Sequence, residues 1–260
     1  MIQRRLAKLL TAASLLVRLG FTPAVLGQDV ATAPVGGIAV AEEPDHQLVF
    51  SNSYVNAYAV EIDPQSSTLL HQHRHDNIAV VFGTSNITDV VNGKTPDHMN
   101  LADSTVNVSR APYVHMIRNN DALPCRHIML ELLQGEGDVT NLYSSVNDAL
   151  AASTADTSGA KQNRVLESDL VRMLAVEVPS HRGWSAPHDG QPRLVVMLDR
   201  PAETLESADE NTTFADGLLL WSDAANQSKP ITNGSPRPLR LVVLEFKQQQ
   251  QPASEQTAAR

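Results

Sequence analysis

The chain has 260 residues, 42% of them apolar, and a single cysteine, Cys125. That apolar share supports a core and argues against global disorder, while one thiol excludes an intrachain disulfide or a multi-thiolate metal site. The formal net charge of −9 repels phosphate backbones, so nucleic acid is not an expected partner.

Residues 1–27 are expected to be a secretory signal peptide. "MIQRRLAK" carries Arg4, Arg5 and Lys8, the apolar run "LLTAASLLV" follows, "AVLG" offers cleavage after Gly27, and no acid precedes Asp29. Arg18 interrupts the apolar stretch, which leaves a basic amphipathic helix or a transit peptide as alternatives. The signal reading implies a secreted or periplasmic protein. After the N-terminus no apolar run is long enough to span a bilayer, so the mature chain has no expected membrane span. Residues 28–44 are small and Pro/Gly-containing and are expected to be loose. At the other end, "KQQQQPASEQTAAR" is low-complexity, and disorder is expected over 248–260.

Between these ends the sequence repeats itself. "VFSNSYVNAYAVEI" (49–62) aligns without gaps on "VLESDLVRMLAVEV" (165–178), with Val49/Val165, Val55/Val171, Ala59/Ala175, Val60/Val176 and Glu61/Glu177 identical. "NNDALPCRHIMLEL" (119–132) aligns on "NGSPRPLRLVVLEF" (233–246), with Asn119/Asn233, Pro124/Pro238, Arg126/Arg240, Leu130/Leu244 and Glu131/Glu245 identical. "HDN" (75–77) answers "HDG" (188–190). Two copies of domain size are implied, 45–146 and 163–247, joined by an Ala/Ser/Thr-rich linker at 147–162 that has room for a short helix. Each copy reads as all-β. Short Val- and Leu-rich segments such as "IAVVFG", "RHIMLELL", "LVVML" and "RLVVLEF" alternate with turn signals, including "NG" at 92–93 and 233–234. Many short strands with frequent turns predict a sandwich or barrel.

The chemistry concentrates in "LLHQHRHDN" (69–77), which holds three of the nine histidines. On one continuous strand His71, His73, His75 and Asn77 share a face, with Asp76 opposite. Two imidazoles on a strand face can share a first-row metal ion, with a third ligand from a neighbouring strand. His115, in "YVHMIRNN", is the candidate third ligand. The alternative is a solvated strand face or turn.

These features together resemble the cupins, small double-stranded β-helix barrels, and the whole chain resembles a bicupin. The family's first motif is H-x-H with a Glu after it. Here His71 and His73 supply the histidines, and Asn77, four residues past His73, stands where the Glu is usual. The second motif ends in H-x-x-x-N, matched by His115 and Asn119. The resemblance implies two tandem jelly-roll barrels, with a divalent ion (Fe, Mn, Ni or Zn) on His71, His73 and His115 in the first. It also implies a small-molecule ligand or substrate, and a homodimer as a family expectation. Oxygenase chemistry is the family's commonest use of such a site, and non-catalytic binding is the alternative. Asn77 departs from the pattern, so either three histidines suffice or Asn77 or Asp76 completes the set. Glu131, on the closing strand, is within possible reach of the metal region.

Aligned through "HDN" and "HDG", the second copy places Trp184 against His71, Ala186 against His73 and His188 against His75, with Lys229 against His115. On this alignment the three ligands are lost together and the second barrel is a degenerate site. His75 and Asp76, matched by His188 and Asp189, are then supporting residues that hydrogen-bond the rim or line the mouth. His181 with His188 is a weak alternative pair. His46, His98 and His127 have no partners in sequence, and Cys125 has no assigned role.

Overall fold

Alternating residues of β-strands face opposite sides, and in Cys125–Leu132 and Leu239–Phe246 nearly every residue on both sides is buried. The computed structural model describes residues 36–135, 140–186, 190–199, 211–214, 217–223 and 230–247. Residues 1–35, where the signal peptide is expected, residues 248–260, His188 and Lys229 lie outside the described residues. The first half carries β1 (Ile38–Ala39), β2 (His46–Ser51), β3 (Val55–Ile62), β4 (His71–His73), β5 (Asn77–Phe82) and β6 (Ser85–Val91). It continues with β7 (Asp97–Leu101), β8 (Thr105–Ser109), β9 (Tyr113–Asn119), β10 (Cys125–Leu132) and β11 (Leu142–Ser145). Helix α1 (Val146–Ala151) leads to β12 (Lys161–Glu167), β13 (Val171–Val178), β14 (Gly183–Trp184) and β15 (Arg193–Met197). β16 (Asn211–Phe214), β17 (Gly217–Ser222), β18 (Ile231–Thr232) and β19 (Leu239–Phe246) complete the chain.

The first barrel is made of two sheets, ordered β1-β4-β9-β6-β7 and β11-β8-β5-β10-β3-β2. The second has a matching six-stranded sheet, β12-β13-β19-β15-β17-β16, and a small β14-β18 sheet. Strand β10 shows how one sequence serves two surfaces. Its Ile128, Leu130 and Leu132 join Met173, Leu194, Val242, Leu244 and Phe246 of the second barrel in one apolar cluster. Its Cys125 and Met129 instead pack inside the first barrel with Val40, Tyr58, Val60 and Ile62. The two six-stranded sheets therefore pack against each other through their outer faces. At one edge Phe50 and Tyr54 meet Trp221 and Phe246 with ring centroids 5.4–5.8 Å apart. Elsewhere Arg240 of the second barrel pairs with Asp199 and also reaches Asp103, Ser104 and Asn147.

The internal repeat is a repeat of register. Cys125 pairs with Ile62 and Leu132 with Val55, just as Leu239 pairs with Val178 and Phe246 with Val171. Even the β-bulge is copied, between Leu48 and Phe50 in β2 and between Arg164 and Leu166 in β12. Asn119 and Asn233 close equivalent corners. Asn119 Nδ2 donates to the carbonyls of Ile62, Asp63 and Leu123, and Asn233 Nδ2 to those of Val178, Pro179 and Arg237.

Two expectations change, and the 147–162 linker carries the short helix it had room for. Residues 36–44 are built into the barrel: β1 runs parallel to β4, and Val40 and Glu43 are buried. Gly37 permits this approach, since a Cβ there would lie 2.9 Å from Val114 Cγ1 and 3.1 Å from the His71 carbonyl carbon. The 147–162 stretch is mostly ordered, carrying α1, whose first turn is capped by the Ser145 hydroxyl on Asp148 N–H, and the start of β12. Finally, "HDN" and "HDG" are not equivalent. The Asp76 carbonyl accepts from Leu132 N–H as the Pro192 carbonyl accepts from Phe246 N–H. Asn119 N–H donates to the Ser66 carbonyl as Asn233 N–H donates to that of Arg182. The constant spacing places Trp184 opposite Thr68, Pro192 opposite Asp76 and Arg193 opposite Asn77. His71 and His73 then correspond to Pro187 and Asp189, outside the described residues.

Candidate metal centre

The strand bearing His71 and His73 ends at residue 73, and the chain turns at 74–76 into the opposite sheet. His71, His73, His75 and Asn77 therefore do not form one strand face. β4 and β9 are antiparallel neighbours with His71 directly opposite His115. That register brings three imidazoles together. Ring centroids are 5.0 Å apart for His71 and His73, 4.6 Å for His71 and His115, and 5.1 Å for His73 and His115. All three side chains are buried. The Nε2 atoms of His73 and His115 lie 3.2 Å apart. Two nitrogens bound to one ion at about 2.1 Å sit roughly 3.0–3.4 Å apart in octahedral cis or tetrahedral geometry, so the spacing fits a shared metal.

A fourth imidazole stands beside two of these three. His46, on β2 of the facing sheet, lies 4.7 Å from His71 by ring centroid. His46, His71 and His73 each offer one ligating nitrogen within 4.8 Å of the others. Nothing near His46 in the sequence relates it to residue 71; antiparallel closure of the barrel brings them together. His127 on β10 faces the same interior and was equally without a sequence signal.

The outer nitrogens of His46, His71 and His115 are fixed. His71 Nδ1 lies 2.8 Å from the Leu69 carbonyl, His115 Nδ1 2.9 Å from Asp89 Oδ1, and His46 Nδ1 2.6 Å from Glu43 Oε2. A carbonyl or carboxylate at Nδ1 requires N–H there, which leaves Nε2 with a lone pair. His71 Nε2 is buried with no hydrogen-bond partner, as is His73 Nδ1. Tyr113 stacks on His73 at 4.8 Å. Burial, and then the charge of His115, push His71 down to about 4. Burial, and then His115 and His71, hold His73 well below the ordinary histidine value. Such shifts favour the neutral, ligating form of His71 and His73.

No protein-family model matches the chain, and no curated protein matches it in sequence. Among solved structures it is similar to a putative glyoxylate-induced protein from Pseudomonas aeruginosa, at 12% identity over 78% of each chain with a TM-score of 0.55. It is also similar to AerE from Microcystis aeruginosa, at 15% identity over 79% of this chain and 99% of that one, with a TM-score of 0.50. Both likenesses span the two barrels, and at these identities they show the fold. The chain has the bicupin fold, two tandem β-barrels. A salicylate 1,2-dioxygenase from Pseudaminobacter salicylatoxidans overlaps more loosely, at 11% identity over 74% of this chain and 71% of that one, with a TM-score of 0.46. That overlap carries no argument about chemistry.

Within this fold the remaining sequence candidates take different places. Asn77, at the position of the usual glutamate, donates through Nδ2 to the Tyr113 hydroxyl at 2.9 Å and accepts from it at 3.2 Å. Its amide is thereby committed to Tyr113. Asp76 is buried at the corner, where Oδ1 accepts from Ala111 N–H. His75 is half-buried in the same bend. Asn119 is consumed by its three carbonyls. Glu131 is buried with Oε1 3.9 Å from His73 Nδ1, and burial raises its carboxyl above the ordinary value.

The second barrel carries different residues on the same rows. Gln162 pairs with Val176 as His46 pairs with Val60, so Gln162 holds the His46 position. Leu241 holds that of His127 and Leu174 that of Tyr58. A groove of about 950 Å³, bounded by residues that include Met99, Tyr143, Asn147 and Arg164, contains none of the histidines.

Proposed function

We propose that the first barrel is a divalent-metal centre with His71, His73 and His115 as ligands, acting on a small polar or anionic molecule by oxygenase-type chemistry. One observation carries the metal reading. His71 Nε2 is buried without a partner, while its Nδ1 is tied to the Leu69 carbonyl and two more imidazoles stand beside it. A buried polar atom left unpaired in an otherwise satisfied network calls for a missing partner, and this donor set suits Fe, Mn, Ni or Zn. When bound, such an ion supplies open positions where O2 or a substrate oxygen is polarised. The chain's own residues orient the ligands: the Leu69 carbonyl and Asp89 set the tautomers of His71 and His115, and Tyr113 holds the His73 ring. The absence of a carboxylate at Asn77 leaves more positive charge at the ion, which supports an anionic substrate.

Metal analysis of the protein from its own compartment, beside His71→Ala and His115→Ala, tests this. About one ion per chain, lost in both variants, is expected. A folded wild type that takes up no Fe, Mn, Ni or Zn overturns it. Metal bound without O2 uptake across candidate substrates redirects the reading to a non-catalytic binding protein. We also propose export across a membrane, supported by Arg4, Arg5, Lys8 and the apolar run after them; mass spectrometry of the mature N-terminus checks it, and an intact Met1 overturns it. Among the described residues no helix is long and apolar enough to cross a membrane.

A further inference from the structure

We propose that His46 is a fourth protein ligand, so that the ion in the first barrel is held by imidazoles alone: His46, His71, His73 and His115. This rests on the metal-centre reading above and deepens it. Asn77 is bonded to Tyr113 and does not supply the oxygen that the usual glutamate would. His46 is the remaining ring whose position fits. It is buried, its ring lies 4.7 Å from that of His71, and its ligating nitrogen falls within 4.8 Å of those of His71 and His73.

The strongest argument is the support built around it. Glu43 Oε2 lies 2.6 Å from His46 Nδ1 and also accepts Asp45 N–H, while Oε1 accepts Leu69 N–H at 3.0 Å. A carboxylate pinned by two backbone amides fixes the ring and its tautomer, leaving His46 Nε2 as the lone-pair nitrogen. Carboxylate–histidine pairs of this kind orient metal ligands and raise their basicity. The Leu69 peptide links two such supports, since its N–H holds Glu43 and its carbonyl holds His71 Nδ1. In the second barrel the His46 position is Gln162, which accepts from Trp184 Nε1 at 3.3 Å, a purely structural contact.

An all-imidazole set has a consequence for the metal. Imidazole nitrogens suit Fe, Ni, Cu and Zn, whereas Mn is better served by carboxylate and water. Fe(II), Ni(II) or Zn(II) is therefore expected to bind more tightly than Mn(II).

X-ray absorption of the full chain loaded with Zn(II), with a competition titration for affinity, tests the proposal. The wild type is expected to show four imidazoles. His46→Gln, which introduces the second barrel's residue, is expected to show three and at least a tenfold weaker Kd. Glu43→Gln is expected to keep four and lose roughly 10–100-fold in affinity. Three imidazoles in the wild type, with His71→Ala abolishing binding and His46→Gln leaving Kd unchanged, overturns the role of His46 and leaves the metal centre standing. A wild type that binds no Zn(II), Fe(II) or Ni(II) overturns both. The wild-type imidazole count decides the matter even if a variant fails to fold.

Discussion

The two barrels share a backbone and differ in what they enclose. Strand register, the bulge and the corner asparagine are copied, yet the rows facing inward carry different chemistry. The second barrel's interior includes an apolar cluster with Val176, Val178, Val195, Met197, Leu241 and Val243. In the first, His127 and Tyr58 stand where the second has Leu241 and Leu174, near His71, His73 and His115. Burying an aliphatic side chain contributes about 1.5–3 kcal/mol, whereas burying a polar group destabilises unless it finds a partner. The apolar cluster of the second barrel thus contributes stability, and the first carries polar groups that cost stability unless they are partnered. The contact between barrels lets one support the other.

Glu131 and Glu245 make the contrast sharpest, because the residue is identical. Glu245 pairs with Arg193 at 2.9 Å, both almost wholly buried, and Arg172 reaches its second oxygen. The rows opposite Glu131 hold Asn77 and Asn56 where the second barrel has Arg193 and Arg172. Removing one partner of a buried ion pair strands the other, at about 3–5 kcal/mol. Glu245→Gln is therefore expected to destabilise by that amount in urea unfolding. A loss below about 1 kcal/mol would break the claim that the second barrel's glutamate is structural.

Where the barrels meet, the contrast should vanish. Leu130 and Leu244 occupy equivalent rows, are fully buried and belong to one cluster. Leu130→Ala and Leu244→Ala are each expected to lose about 2–5 kcal/mol through lost transfer energy and a residual cavity. The two should agree closely, in a single unfolding transition. Separate transitions for the two halves would show that the barrels are not stabilised by a common core.

Acid separates the barrels again. Burial, followed by the charge of His46, pushes His127 down to about 3, and burial with His115 pushes His71 to about 4. The unfolded chain takes up these protons near pH 6.5 and the folded chain does not. Stability is thus complete above pH 6.5 and falls as the pH drops toward 4 and then 3. Metal-free His127→Leu, which inserts the residue found at Leu241, is expected to gain about 2 kcal/mol more relative to wild type at pH 5 than at pH 7.5. Equal shifts at both values would mean that His127 does not titrate in this way.

Much of this contrast was readable beforehand, and the exceptions have physical reasons. The two aligned blocks are strand pairs, and strand pairing tolerates no slippage when both faces are buried, so equal spacing in sequence became equal register in space. His71, His73 and His115 were legible because H-x-H and H-x-x-x-N lie on neighbouring strands. "HDN" and "HDG" misled because they fall at a sheet corner, where a three-letter match is free to arise out of register. His46 and Glu43 carried no signal: their only local relation is to each other, and their meeting with His71 is made by closure of two sheets. The role of Glu131 depends on Asn56 and Asn77, which flank it from strands far away in sequence.

Glu131→Gln is the smallest expected effect and the most discriminating. The described partners of this carboxyl are the Asn56 amide at 3.4 Å and the Tyr58 phenol, which burial and then Glu131 push up to about 12. Burial likewise favours the neutral carboxylic acid in Glu131 itself. An amide has nearly the same shape, removes no ion pair and keeps a hydrogen-bonding oxygen, so the metal-free protein is expected to change by less than about 1 kcal/mol. Set beside Glu245→Gln, this compares one residue at one register in two environments. Should Glu131→Gln instead prove as damaging as its counterpart, the first barrel must hold a cation against that carboxylate even without metal. The nearest candidate is His73, 3.9 Å away. The neutral state assigned to its ring would then be wrong, and the ligand set would have to be rebuilt from that point.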